Sequence, residues 1–158
     1  SAQPKPTRDI VATDGMKLTL GDTTLTLYLT PGHTLGTIST LIPVKDNGRT
    51  HLAAEWGGTA FNWVANPKAY LTADRPARFW FETYSKSAQR FRDIAAREGA
   101  DVILSNHTAF DGTKRHLPVL AGRKTGDPNP YVVGKEAVLR YMTTVDECAQ
   151  AGLAGLTN

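Results

Sequence analysis

Length, composition and charge already limit what this chain of 158 residues can be. Its apolar content of 41% is sufficient for one globular domain with a core, and it has no apolar run long enough to span a membrane. The net charge of +3 comes from scattered side chains, so we expect no nucleic-acid partner and no membrane partner. A single cysteine excludes an internal disulfide, and we expect Cys148 to pack in the apolar stretch of a helix.

The predicted elements begin after a polar, proline-bearing segment, residues 1–16, which we expect to be frayed or connecting. They follow in chain order: strands over 17–20, 23–30, 38–44 and 50–54, an irregular loop over 55–66, a helix over 75–98, a strand over 101–105, and helices near 113–122 and over 134–152. Gly99 is a fitting stop for the long helix. Since no internal repeat is present, residues 17–156 are predicted to form one α/β unit.

Two of these helices carry a mostly apolar stripe, which should face a common core. The members are Phe79, Glu82, Ala88, Phe91, Ile94 and Ala95 in the long helix, and Val138, Leu139, Met142, Val145 and Ala149 in the last one. The strand over 23–30 alternates leucines with polar residues, which is the period-two pattern of a half-buried strand.

A histidine follows this alternating strand in the tetrad Pro31-Gly32-His33-Thr34. Pro31 ends the strand and Gly32 permits a tight turn, so the imidazole sits in a short loop between two strands. Such loops commonly present functional side chains. Many histidines, however, only cap turns or fill polar cavities, and the tetrad alone leaves that alternative open.

A second histidine, His107, ends the apolar run that starts at Asp101. Two histidines at two strand ends can converge on one rim of a sheet. Neutral imidazole is the commonest protein ligand for zinc, so the pair indicates a candidate metal site.

Three segments together resemble the C-terminal half of the metallo-β-lactamase superfamily: TPGHTLG over 30–36, LAAEWGGT over 52–59 and ILSNHTAFD over 103–111. The resemblance runs from about residue 17 to 112. It implies half of a four-layer αββα sandwich, a mixed sheet with helices on one face. It also implies two zinc ions in the complete protein, with His33 a ligand of the first and His107 a ligand of the second.

Two departures from the family pattern are evident. Thr59 stands where the family has an aspartate or cysteine near the second metal, and a neutral hydroxyl is a poor zinc ligand. The signature His-x-His-x-Asp-His, which supplies most ligands of both metals, does not occur, and the remaining histidines are His51 and His116. We therefore expect a C-terminal fragment that binds zinc weakly or not at all by itself.

Other residues near these motifs have alternative roles. Trp56 either leans over a substrate or packs in the core, and Asp111 is a candidate to orient a metal-bound histidine. His51 and His116 are expected to be surface or packing residues.

For the complete protein the resemblance implies a zinc-dependent hydrolase acting through metal-activated hydroxide, with the fragment inactive on its own. An amide, lactam, lactone or thioester is the expected small-molecule substrate, and a β-lactam leads. The expected partner is the missing N-terminal half or a second copy of the chain, giving a dimer, and the expected location is periplasmic or secreted. The alternatives are a metal-free binding or assembly module and a metal-bridged oligomer without catalysis.

Overall fold

The computed structural model describes residues 7–157, which form one five-stranded sheet with helices. The elements are β1 (Met16–Leu20), β2 (Thr23–Leu29), β3 (Ile38–Asp46), β4 (Arg49–Trp56), α1 (Asn62–Ala65), α2 (Pro67–Tyr70), α3 (Ala77–Glu98), β5 (Val102–Ser105), α4 (Thr113–Ala121), α5 (Lys135–Ala154) and a final 3₁₀ turn, Gly155–Thr157. This is the α/β class with a mixed sheet that the sequence predicts.

The sheet keeps the strands in chain order, from β1 at one edge to β5 at the other. The first four strands pair antiparallel, whereas β5 pairs parallel to β4 because the chain returns through α3. Asn47 and Gly48, with φ of 46° and 78°, form the two-residue turn between β3 and β4. The predicted turn over 45–48 is therefore tighter than expected, and both strands extend further toward it.

A helical layer formed by α3 and α5 packs on one face of the sheet. Its contact with the sheet is rich in aromatic side chains, with Trp56 beside Tyr84 and Phe91 at ring-centroid distances of 5.7 and 5.9 Å. Trp63 stacks on Trp80 at 5.8 Å and connects α1 to the same cluster. This cluster holds the loop after β4 against α3.

The long helix α3 differs from its prediction at the start and in its buried stripe. It begins at Ala77 rather than at residue 75, because Pro76 has extended backbone and disfavours helix in the residue before it. Ala88, Phe91, Ile94 and Ala95 are buried as predicted, but Phe79 and Glu82 are only half-buried. Trp80, Phe81 and Tyr84 take the core positions instead.

The predicted irregular loop over 55–66 is also shorter than expected. Glu55 and Trp56 still belong to β4, since they pair with Thr40 of β3 and Ser105 of β5 respectively. Two single-turn helices, α1 and α2, follow. Within the predicted range, only residues 57–61 and Asn66 are therefore irregular.

Helix α5 buries Val138, Met142 and Ala149 as predicted, with Leu139 and Val145 half-buried. Cys148 does not match its prediction, because its side chain is exposed on α5. It lies about one turn beyond Val145, at the edge of the packed stripe, where the helix meets solvent.

The other face of the sheet is apolar and only partly covered. Leu18, Leu25 and Ile42 lie on it half-buried, while Leu29 is 39% exposed. The start of α4 lines a cavity with Val44, Glu55 and Leu104, together with three residues of the following segment, Asn129, Tyr131 and Val132. These residues cover the end of this face near β5. The remainder, over β1, β2 and β3, is called the open sheet face.

The predicted frayed segment over 1–16 falls partly outside the described residues, which start at residue 7. Within the described part, Asp14 accepts a bond from the Leu29 amide at 2.9 Å and pairs with Arg90 of α3 at 2.5 Å. Met16 is the first residue of β1. None of the described helices has the length and apolar character needed to cross a membrane.

Candidate functional site

The loop that carries His33 is held by hydrogen bonds on both sides. The Thr30 amide donates to the Thr37 carbonyl at 2.9 Å, which closes the loop at its base. The buried hydroxyls of Thr30 and Ser39 lie 2.8 Å apart, and Ser87 of α3 donates to the Pro31 carbonyl at 2.6 Å. The imidazole is therefore presented on a fixed backbone, as the sequence predicts.

Gly32 is required at this loop because the backbone touches α3. A Cβ built at Gly32 would lie 2.7 Å from the Tyr84 Cα, closer than real contacts, and the φ of 149° is disfavoured for other residues. The tetrad thus depends on glycine both for conformation and for packing.

The His33 ring is bonded through both nitrogens. Its Nδ1 lies 2.9 Å from the Ala60 carbonyl oxygen, which can only accept, so Nδ1 carries the proton. The lone pair is then on Nε2, where the Asn62 amide donates at 3.2 Å. A carbonyl that fixes one ring nitrogen in this way is the usual support of a metal-binding histidine.

The Gly-Gly-Thr segment after β4 is tied to the end of β5. The buried Thr59 hydroxyl donates to the Asn106 side-chain oxygen at 2.9 Å, and the Asn106 amide donates to the Gly57 carbonyl at 3.3 Å. The Tyr84 hydroxyl donates to the Gly58 carbonyl. Thr59 is therefore engaged in holding two loops together.

His107 follows this network directly and is exposed. Its amide donates to the Ser105 hydroxyl oxygen at 3.1 Å, and its ring meets Phe110 edge-on with centroids 5.9 Å apart. The loop thus presents His107 to solvent.

Asp111 bonds to the backbone in this structure. It accepts from the Ser105 amide at 3.2 Å and from the Thr113 amide at 2.9 Å, so it shapes the loop and supports the first turn of α4. Its predicted role of orienting a metal ligand stays a prediction.

The remaining candidates are structural. Trp56 is 1% exposed and packs in the core, so the packing alternative applies to it. His51 lies 2.6 Å from Asp101 and His116 lies edge-on to Tyr131, as expected of packing residues.

The donors present do not complete a zinc site. Across residues 7–157 no three His, Cys, Asp or Glu side chains come together in a group able to hold a metal ion. A catalytic zinc needs three protein donors and a water. His33 has the support expected of a ligand, but the described part of the chain supplies too few donors.

Asn62 and Ala60 contact the His33 ring, although the sequence pattern does not indicate either residue. Their part of the chain reads as an irregular loop, and nothing in its pattern links it to a histidine some 30 residues earlier. The sequence feature that comes nearest to indicating this contact is Asn62, a polar residue at the start of a short apolar turn. Ala60 has a φ of 70°, which is unusual for a residue with a side chain.

No protein-family model matches the chain, and no curated protein matches it either. Several solved structures, in contrast, are similar to the chain. A subclass B3 metallo-β-lactamase of Bradyrhizobium japonicum, BJP-1, is 28% identical with a TM-score of 0.70, over 98% of this chain and 53% of that one.

Two further structures agree with this match. The Y228A mutant of FEZ-1 from Legionella gormanii is 25% identical with a TM-score of 0.71, over 95% of this chain and 52% of that one. A motif mutant of a Cronobacter sakazakii enzyme is 25% identical with a TM-score of 0.67, over 96% and 53%. The chain spans about half the length of each.

These likenesses agree with the motifs around His33, Thr59 and His107, which were identified from the sequence. The neighbours are hydrolases, and their coverage is consistent with a C-terminal half. The chain has the fold of the metallo-β-lactamase superfamily and represents about half of such a domain.

Proposed function

We propose that this chain is the C-terminal part of a zinc-dependent hydrolase and contributes His33 and His107 to its metal site. The observation that carries the proposal is the state of the His33 ring. The Ala60 carbonyl holds the proton on Nδ1, so Nε2 is left as the nitrogen able to bind a metal.

The direction of the strands also supports the proposal. His33 follows β2 and His107 follows β5. These two strands run in the same direction, so both histidines lie beyond the carboxyl ends of their strands, on the same side of the sheet. The Thr59–Asn106 bond of 2.9 Å connects the segments beside them. Donors from outside this chain would be needed to complete three ligands and a water. We infer that the N-terminal half of the family fold supplies them, and that the chain alone is inactive.

A zinc ion held there would supply hydroxide at neutral pH, because it lowers the pKa of its bound water to about 7. The residues of this chain have the supporting tasks. The Ala60 carbonyl orients the imidazole of His33. Asn62, which a metal would displace from Nε2, still holds the loop through the His33 carbonyl at 3.0 Å, and Asn106 keeps the two site loops in register. An amide, lactam, lactone or thioester is the substrate class, with a β-lactam favoured, since the neighbours are named as β-lactamases.

Reconstitution tests the proposal. The chain would be mixed with a polypeptide that carries the upstream sequence of its reading frame, zinc would be added, and hydrolysis of a chromogenic cephalosporin would be followed. We expect activity only from the mixture. The His33→Ala variant should abolish that activity while leaving the unfolding midpoint of the isolated chain nearly unchanged, because His33 lies in an already fixed loop.

His116→Ala serves as the matched control, since it removes an imidazole on α4 outside both site loops. It should retain hydrolysis. Metal analysis after dialysis gives an independent readout: the isolated chain should retain far less than one equivalent of zinc. Stoichiometric zinc on the isolated monomer, or reassembly without activity on lactams, lactones and thioesters, would overturn the proposal.

A metal-free binding or assembly module is the second candidate. It is favoured by the Asn62 amide, which occupies His33 Nε2 at 3.2 Å, and by the lack of a third donor among the described residues. This candidate predicts reassembly with the upstream half but no zinc uptake. We further propose the missing half or a second copy as the macromolecular partner, and a periplasmic or secreted location by analogy with lactamases.

A further inference from the structure

An apolar cavity of about 420 Å³ lies between the end of β4, the loop after it, α3 and α5. Aromatic walls come from Trp56, Phe61 and Tyr84 on one side, and Val145 of α5 closes the other. Its rim includes Cys148 and Phe110, both of which are exposed. The cavity is therefore reachable from solvent although its walls belong to the core.

Most polar groups of the walls are already bonded within the protein, whereas the buried Tyr141 hydroxyl has no bonded partner among the described residues. The Thr59 hydroxyl donates to Asn106 at 2.9 Å, and the Thr144 hydroxyl donates to the Arg140 carbonyl at 3.0 Å. The Tyr84 hydroxyl donates to the Gly58 carbonyl. These donors are not available to a polar ligand.

The cavity also carries no charge. No Asp, Glu, Lys, Arg or His of the described chain lines it. Burial raises the pKa of Tyr84 to about 12 and also raises the pKa of Tyr141, so both phenols stay neutral at physiological pH. A charged ligand would lose its hydration here without gaining a partner, which is costly.

We propose that this cavity is a binding site for a neutral, apolar small molecule of one or two rings. Apolar cavities of about 150 Å³ already take up benzene, and ligand pockets are commonly about 300–1,000 Å³ with mostly apolar walls. Aromatic walls also favour a ring, since offset and edge-on ring contacts add to the burial of apolar area. The site stands on the cavity itself and does not depend on the proposed hydrolase function.

Cys148 makes the site testable, because it is the only thiol of the chain and lies on the cavity rim. The neutral dye N-phenyl-1-naphthylamine would be titrated against three forms of the full chain: unmodified, methylthiolated at Cys148, and alkylated at Cys148 with N-phenylmaleimide. The small methylthio group should leave binding intact. The bulky phenyl adduct should weaken it by about tenfold or more, equivalent to about 1.4 kcal/mol.

The Leu27→Glu variant separates the cavity from the open sheet face, a second apolar surface that could bind the dye. Dye binding should survive this change. The reciprocal measurement needs no adduct: saturating dye should slow the reaction of Cys148 with methyl methanethiolsulfonate in the unmodified protein.

Three outcomes would overturn the proposal. The first is no saturable dye binding to the native chain. The second is binding that is lost in Leu27→Glu yet kept after N-phenylmaleimide. The third is an unchanged rate of Cys148 modification at saturating dye, which decides the matter even where the bulky adduct perturbs folding.

Discussion

Thr59 occupies the position of a metal-site residue in the family pattern, but here its hydroxyl serves a structural bond. The side chain is 4% exposed and donates to Asn106, which in turn donates to the Gly57 carbonyl. A partly buried hydrogen bond of this kind keeps two loops in register. Its energetic role can therefore be tested without a metal.

Replacing Thr59 by Val should destabilise the isolated chain by about 0.5–1.5 kcal/mol, because the bond to Asn106 is lost while the exposed Asn106 remains open to water. Thr59→Ser keeps the hydroxyl and should have a much smaller effect. Urea unfolding of both variants measures the difference. Thr50→Val, at an exposed position of β4, is the control for the change of side-chain type, and equal losses at both positions would contradict the assignment.

Glu55 gives a prediction about pH. Burial raises the pKa of this carboxyl above its ordinary value of 4.5, and a bond from Thr40 opposes the shift. The folded state therefore holds the proton more tightly than the unfolded state. The contribution of Glu55 to stability is fully present below pH 4.5 and is lost as the pH rises through the folded-state pKa.

Glu55→Gln should accordingly be more stable than the parent chain at pH 7, and the gain should vanish at about pH 4. Urea midpoints across this range measure it. Glu147→Gln on the exposed side of α5 is the control for exchanging a carboxylate for an amide. A gain that is constant with pH would mean that side-chain shape, not titration, is responsible.

At the scale of elements, the loop after β2 and helix α3 depend on one another through Gly32. A Cβ there would lie 2.7 Å from the Tyr84 Cα, and neither backbone can give way without moving the helix. The same helix fixes the loop through Ser87 and the Pro31 carbonyl at 2.6 Å.

Gly32→Ala should therefore cost about 1–3 kcal/mol from overpacking, in addition to backbone strain. Gly21→Ala is the matched control, because Gly21 also has positive φ, at 61°, but nothing lies within 4 Å of its Cβ position. We expect a larger fall in the urea midpoint for Gly32→Ala than for Gly21→Ala. Similar falls would show that strain alone accounts for the requirement.

At the scale of the whole molecule, the open sheet face should drive self-association. Burial of apolar surface is worth about 25 cal/mol per Å², so a few hundred Å² per partner gives roughly 10 kcal/mol before the roughly 4–15 kcal/mol that association costs. The margin is narrow, and dimerisation should depend on concentration. Two-fold pairing is the expected form, because it closes without forming fibres.

Sedimentation at increasing concentration tests this expectation, and Leu27→Glu on β2 should shift the chain toward monomer. Lys17→Glu, on the opposite face of β1, is the control and should leave association unchanged. A strict monomer at high micromolar concentration would show that the face remains solvated without a partner.

The sequence predicted more of the fold than of the candidate site. Period-two alternation in β2 and the apolar stripe of α5 predicted those elements because each pattern depends on a residue's neighbours in the chain. The predicted buried face of α3 was partly wrong, because Trp80 and Tyr84 reach core positions through aromatic contacts with α1 and β4 respectively. Their burial depends on residues far away in sequence.

By itself the sequence determined the strand order of the hairpins, the glycine-dependent loop at His33 and the resemblance to half of a metallo-β-lactamase domain. These rest on local backbone preferences and on short motifs. Only the tertiary structure decided that the Ala60 carbonyl holds the proton on His33 Nδ1 and that the Thr59 hydroxyl donates its hydrogen bond to Asn106. It also decided that an uncharged cavity lies beside Cys148. Each of these brings together groups distant in the chain, and their distances follow from how α3 and α5 pack on the sheet.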